Sequence, residues 1–153
     1  MPVARREAEV VWNGPLARGT GALTSGSGAL DALPVTWASR TERAGGKTSP
    51  EELIASAHAS CFAMALALVL GENDSPPERL TVSAACTLDE VDGAPRITTV
   101  ELSVEAEVPG LQASALEQLV GTAADLCPVS NALRGNAEIT VRSELAASAA
   151  ANA

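Results

Sequence analysis

The nucleophiles of this sequence are few: three cysteines, Cys61, Cys86 and Cys127, and one histidine, His58. His58 lies three residues before Cys61, so on a helix the two share a face. A cysteine reacts as its thiolate, and Cys61, deep in an apolar run and away from a helix N-terminus, needs a cation nearby to become one. Arg40, in the polar link ahead of that run, is the candidate, and Glu51 or Glu52 has the geometry to hold its guanidinium in a two-pronged pair. Taken alone, Cys61 has inert packing as its more frequent role, and the two carboxylates have compensation of the helix dipole. Cys127 differs, because it precedes Pro128 at the cap of a short helix, where free N–H groups favour a thiolate suited to resolving or leaving. A buried cysteine serving as a poor cap is the equal alternative there. Cys86 sits in a strand pattern and reads as structural. Ser56 and Ser60 are each two residues from His58 and point elsewhere, and Cys61 with His58 lacks the orienting acid that acyl transfer requires. His58 therefore reads as a histidine satisfied by hydrogen bonding at a subunit interface.

The element that must position these groups is the segment TSPEELIASAHASCFAMALALVLG, residues 48–71. Thr48 and Ser49 supply cap hydroxyls, Pro50 suits a first turn, Glu51 and Glu52 follow, and Gly71 is a natural stop. Residues 53–70 are almost all apolar or small, which predicts a helix buried nearly all round. Glu51 lies ten residues before Cys61, roughly 80° away around such a helix, so a bridging arginine is needed to unite them. Ahead of it, residues 7–12 and 16–23 read as a hairpin turned at Gly14-Pro15, residues 34–37 as a third strand, and residues 39–47 as a polar link carrying Arg40, Arg43 and Lys47. After it come strands at 80–91 and 96–108 about a turn at 92–95, a helix at 114–126, a short helix at 128–133 and a last strand at 136–145. The order βββαββααβ indicates an α+β fold of helices on antiparallel sheet, one domain over residues 1–146 with a frayed tail at 147–153. A helix apolar on every side needs more cover than one small sheet gives, which implies a homodimer.

Composition excludes several functions. Nineteen acidic against 10 basic residues give a formal charge of -9, and with no Tyr, one Phe and two Trp there are few platforms for bases, so neither nucleic acid nor an anionic membrane is a fitting partner. The N-terminus MPVARREAEV has no apolar run behind its basic residues, which points to the cytoplasm. Residues 53–70 reach the lower edge of a membrane span, but His58 and two serines interrupt them, which favours a core helix. An odd number of widely spaced cysteines fits neither a disulfide framework nor a zinc ribbon, and a single histidine rules out a multi-histidine metal site within one subunit. The stretch GTGALTSGSG lacks the spacing of a dinucleotide loop.

Together, TSPEELIASAHASCFAMALALVLG around Cys61 and LCPVSNALRGNAEITV around Cys127 resemble the OsmC/Ohr family of osmotically inducible and organic hydroperoxide resistance proteins. The looser match runs from WNG at Trp12 to EVPGL at Glu107, and AHAxCFxMAL with VPG is closer to the OsmC branch, while SNALRGN has the flavour of the Ohr branch. The resemblance implies an intertwined homodimer with antiparallel sheets wrapped around two central helices, and a thiol-dependent peroxidase acting on organic hydroperoxides and, with them, hydrogen peroxide. It puts the peroxidatic role on Cys61, the resolving role on Cys127 and the helix-start glutamate on Glu51. The arginine falls on Arg40 by the OsmC pattern, with Arg43 close by, or on Arg18 by the Ohr pattern. It further implies no bound cofactor and an external dithiol reductant, of lipoyl type or another small dithiol. Phe62 and Leu53 are expected to wall the substrate on its apolar side. The competing reading is a non-enzymatic dimeric stress or ligand-binding protein with inert cysteines.

Overall fold

The computed structural model describes residues 1–147, so the expectation of a frayed tail falls almost wholly outside the described residues. The described residues form two compact units, Met1–Leu53 and a second that begins at Ile54. In the first, β1 (Ala8–Asn13), β2 (Thr20–Ser25) and β3 (Leu33–Val35) make an antiparallel sheet in that order. The β1–β2 return is tight enough to demand glycine: a Cβ on Gly19 would stand 2.6 Å from the Pro15 carbonyl oxygen and 2.7 Å from that of Asn13. The third strand ends at Val35, earlier than its sequence pattern suggests, because Thr36 leaves the sheet to cap a helix. In that cap the Thr36 hydroxyl accepts from the Ser39 N–H at 3.0 Å, and the Ser39 hydroxyl accepts from the Thr36 N–H at 2.9 Å. The segment expected to be a bare polar link thus begins as α1 (Trp37–Thr41).

Helix α2 (Pro50–Glu72) starts as its sequence dictates, with the Ser49 hydroxyl accepting from the Glu52 N–H at 3.2 Å and two carboxylates in the first turn. It runs one residue beyond Gly71, and the left-handed residue that follows is Asp74, at φ 55°.

The second unit carries β4 (Arg79–Val91), β5 (Ala94–Glu107), α3 (Ala113–Leu126), α4 (Pro128–Leu133) and β6 (Glu138–Leu145) on a sheet ordered β4-β5-β6. Asp92 and Gly93, at φ 52° and 77°, make a two-residue turn between β4 and β5, so Ala94 and Pro95 belong to the strand and not, as expected, to the turn. The expectation of an all-antiparallel sheet is corrected here: β6 pairs parallel to β5, from Thr99 with Glu138 to Ala106 with Leu145. A parallel neighbour requires a crossover, and α3 with α4 is that crossover.

Phe62, Leu66, Val69 and Leu70, one edge of α2, join Leu102, Val104 and Ala106 of β5 and Leu116, Val120 and Ala123 of α3 in a single core. The opposite stripe of α2, through Ser56, Ser60, Met64 and Leu68, is exposed, with Met64 at 68% and Leu68 at 56%. Burial nearly all round is therefore not achieved within one chain. Helix α2 is long and apolar enough to cross a membrane, yet its Phe62 edge is committed to the protein's own core. Truncating the fully buried Phe62 to Ala should cost about 3–5 kcal/mol in urea unfolding. Leu126→Ala, at a site 51% exposed, should stay within about 0.5 kcal/mol of the parent.

Candidate active site

In the first unit, α1 and the start of α2 bring a guanidinium and a carboxylate together. The Ser39 hydroxyl lies 3.0 Å from the Thr48 carbonyl oxygen and can donate to it, tying the two ends of the link, while the Thr48 N–H donates to the Pro34 carbonyl at 3.0 Å. Arg40, the residue after Ser39, then meets Glu51: Nε donates to Oε1 at 3.0 Å and Nη2 to the same oxygen at 2.7 Å, with Nε 3.2 Å from Oε2. The guanidinium carbon also sits 5.9 Å from the Trp37 ring centroid, so carboxylate and indole together fix its plane. Nη1 makes no hydrogen bond among the described residues, which leaves this edge of the cation available. Glu52, the other carboxylate considered for this role, instead accepts from the Thr48 hydroxyl at 3.0 Å. Arg18 and Arg43 are exposed and make no side-chain hydrogen bond or ion pair among the described residues.

In the second unit, Cys61 of α2 and Cys127 between α3 and α4 are reduced thiols close enough to set each other's acidity. Cys127 is wholly buried and Cys61 half-buried. Burial pushes the Cys61 thiol up; the Val129 N–H opposes this, the thiol's hydrogen bond to Cys127 and the charge there add to it, and the net effect is a raised pKa. Burial pushes Cys127 up as well, but the Ser130 hydroxyl and N–H, the Cys61 thiol and the Val129 N–H outweigh it and leave Cys127 more acidic than an ordinary thiol. Cys127 is the N-cap of α4 and makes no hydrogen bond of regular capping geometry, so these N–H groups act on its charge and not as a formal cap. Cys127 is thus the more acidic of the two thiols.

His58, one turn before Cys61, reaches across to α4, where its Nε2 lies 2.7 Å from the Ser130 hydroxyl oxygen, with both side chains buried. The histidine is hydrogen-bonded, as its sequence context suggests, but to its own chain. Its Nδ1 is buried without a hydrogen-bond partner, and burial lowers its pKa from the ordinary 6.5. Ser130 was not singled out from the sequence; the signal available was the CPVS spacing, which puts a hydroxyl on the third residue of the helix that Cys127 caps. Trp37 was likewise missed, because residues 34–37 read as strand. Phe62 does not wall a substrate, since it is wholly inside the core. Cys86 stands in β4, as its strand pattern indicates.

The family model for OsmC-like proteins matches residues 43–142. Peroxiredoxin OsmC of Escherichia coli (strain K12) is 40% identical over 140 residues, 92% of this chain and 96% of that protein. The organic hydroperoxide resistance protein of Xanthomonas axonopodis pv. citri is 33% identical over 122 residues, 79% of this chain and 84% of that protein. Among solved structures, the organic hydroperoxide resistance protein OhrB of Bacillus subtilis superposes with a TM-score of 0.73 at 28% identity, covering 90% of this chain and 98% of that one.

The state of His58 has a measurable consequence. The unfolded chain takes up a proton at this residue near pH 6.5 and the folded chain only at lower pH, so stability should fall as pH drops below 6.5 and gain nothing from this group above it. His58→Gln keeps an N–H for Ser130 without the titration. The difference between urea midpoints at about pH 7.5 and about pH 5.5, either side of the imidazole range, should be smaller in that variant than in the parent.

Proposed function

Because the chain belongs to the OsmC-like family, we propose that it is a cysteine-based peroxidase that reduces organic hydroperoxides, and hydrogen peroxide with them, in defence against oxidative and osmotic stress. The observation that carries this reading is the pairing of a half-buried Cys61 with a wholly buried Cys127, close enough to act on each other's acidity. The names of the relatives, peroxiredoxin and organic hydroperoxide resistance protein, support the same chemistry.

In the proposed cycle Cys61 gives up its proton to solvent, and the Cys61 thiolate attacks the O–O bond of the hydroperoxide. A sulfur–oxygen bond forms, the O–O bond breaks, and the alkoxide leaves and takes a proton from solvent to become alcohol. Cys61 is now a sulfenic acid, oxidised by two electrons, and Cys127 meets it as a thiolate. Its sulfur attacks that of Cys61, the disulfide forms, and hydroxide leaves and is protonated by solvent. An external dithiol, lipoyl-type or another small one, restores both thiols by exchange. The role proposed for Arg40 is to favour the Cys61 thiolate and the charge growing on the peroxide oxygens, and that of Glu51 is to hold the guanidinium plane. The proposed location is the cytoplasm, a reducing compartment in which such a thiol pair is returned to its reduced form. Homodimerisation is supported by the apolar stripe through Met64 and Leu68, which a second copy's helix would cover.

One equivalent of cumene hydroperoxide, followed by thiol mapping with mass spectrometry, should give a Cys61–Cys127 disulfide within seconds. Cys61→Ser should abolish peroxide consumption, and Cys127→Ser should stop after one turnover with Cys61 as sulfenic or sulfinic acid. Three unreacted thiols in the parent would overturn the peroxidase reading and leave a binding protein with inert cysteines. For the arginine, Arg40→Ala should slow peroxide consumption by about a hundredfold, as removal of a preorganised charge donor does. Glu51→Gln should lose less, and Arg18→Ala and Arg43→Ala should stay near the parent rate; a large loss in either of these moves the assignment to it.

A further inference from the structure

The hydrogen bond between His58 and Ser130 is a buried side-chain link of the second unit that the cycle above does not use. Its two ends have matching places in the chain: His58 lies three residues before Cys61 on α2, and Ser130 three residues after Cys127 on α4. The bond therefore ties the helix bearing one thiol to the helix capped by the other, one turn from each sulfur. His58 is 0% and Ser130 1% exposed, so water does not substitute for either partner.

The direction of the bond follows from counting protons. If Nε2 accepted, the single Ser130 proton would be spent on the imidazole, and Nδ1 would be an N–H donor buried with nothing to bond. Orphaned buried N–H groups are the rarer and costlier kind. If Nε2 donates, Nδ1 keeps only a lone pair and the Ser130 proton is free to turn to Cys127. The Cys127 pKa, lowered in part by that hydroxyl, agrees with the second arrangement.

We propose that His58 and Ser130 are positioning residues for Cys127: His58 Nε2–H donates to Ser130 Oγ, and the Ser130 O–H, so directed, turns to the Cys127 sulfur one turn away and supports it in its attack on Cys61. The inference rests on the peroxidase reading and deepens it, because it assigns a device to the second half of the cycle only. In that half Cys127 attacks the Cys61 sulfenic sulfur, the S–S bond forms, the S–O bond breaks and hydroxide departs. The relay neither gains nor loses a proton in the step. It ensures that the attacking sulfur is charged and in register when the sulfenic acid appears, which shortens the time that acid is open to a second peroxide.

The test separates the two halves. Parent, Ser130→Ala, Ser130→Thr, His58→Leu and His58→Gln proteins are mixed with one equivalent of cumene hydroperoxide and quenched over time, with dimedone trapping the sulfenic acid and mass spectrometry counting disulfide and sulfinic acid. Ser130→Ala should consume peroxide at the parent rate yet form the disulfide at least about threefold more slowly, with Cys61 sulfinic acid accumulating; the loss of thiolate is partly offset by the greater nucleophilicity of a more basic sulfur. Ser130→Thr keeps the hydroxyl and should restore resolution. His58→Leu, without an N–H, should resolve slowly, and His58→Gln should not. In a Cys61→Ser/Cys86→Ser background, thiolate absorbance at about 240 nm should titrate at higher pH once Ser130 is Ala. If Ser130→Ala misfolds, the His58→Leu and His58→Gln pair carries the same contrast. Disulfide formation at the parent rate in Ser130→Ala and His58→Leu, with an unmoved Cys127 titration, overturns the relay and leaves the peroxidase standing. Absence of the disulfide in the parent overturns the reading on which the relay rests.

Discussion

The rotation of α2 about its own axis is the constraint on which the second unit depends. A helix this uniformly apolar has little preference in its own sequence for which side faces inward. What decides is the fit of Phe62, Leu66, Val69 and Leu70 against β5 and α3. Once that edge is committed, Cys61 lies at its border, half-buried, and His58 falls wholly inside, one turn earlier. A turn of one residue, about 100°, would put His58 into solvent and take Cys61 away from Cys127. The buried link to Ser130 adds a polar check to this apolar fit, since losing it would strand a serine and an imidazole without water.

Two separate devices manage charge, one in each unit. In the first, a permanent cation is fixed by a forked carboxylate below and an indole beside it, an arrangement that costs little to hold because guanidinium and carboxylate match in shape. In the second, the acidity of each of two thiols is set by what surrounds it: hydroxyl and backbone N–H groups around Cys127, chiefly apolar burial around Cys61. In the proposed cycle, the permanent cation suits stabilising a charge that appears on an oxidant, and the paired thiols suit an exchange that must reverse in every turnover.

Much of this was legible in the sequence, for local reasons. The α2 start is written in Ser49, Pro50 and two glutamates, and the placement of Cys127 before Pro128 fixed it as a cap. The forked partner of Arg40 was narrowed to two adjacent carboxylates, and the helix phase chose Glu51 between them. What the sequence hid was non-local or subtle. The parallel pairing of β6 depends on where a crossover lands, which no strand pattern records. Helix α1 is five residues long, and its capping box uses Ser39 where the familiar signature has a carboxylate or amide, so it passed for a link. Ser130 is 72 residues from His58, and nothing local to either announces the other.

Acidity and exposure assign different roles to the two thiols, and the difference bears on how such a pair can work. By acidity alone Cys127 would be the better nucleophile toward any oxidant, since it is the sulfur on which negative charge is favoured. It is also 0% exposed, however, while Cys61 keeps part of its surface open. An oxidant arriving from solvent therefore meets the less acidic sulfur, whose greater intrinsic nucleophilicity partly offsets its smaller thiolate fraction. Once Cys61 carries oxygen it no longer competes for the proton, and the thiolate settles where the structure already favours it, on the sulfur that must attack next. In the proposed cycle, burial thus chooses which thiol is oxidised first, and the surrounding donors choose which one stands ready to resolve it.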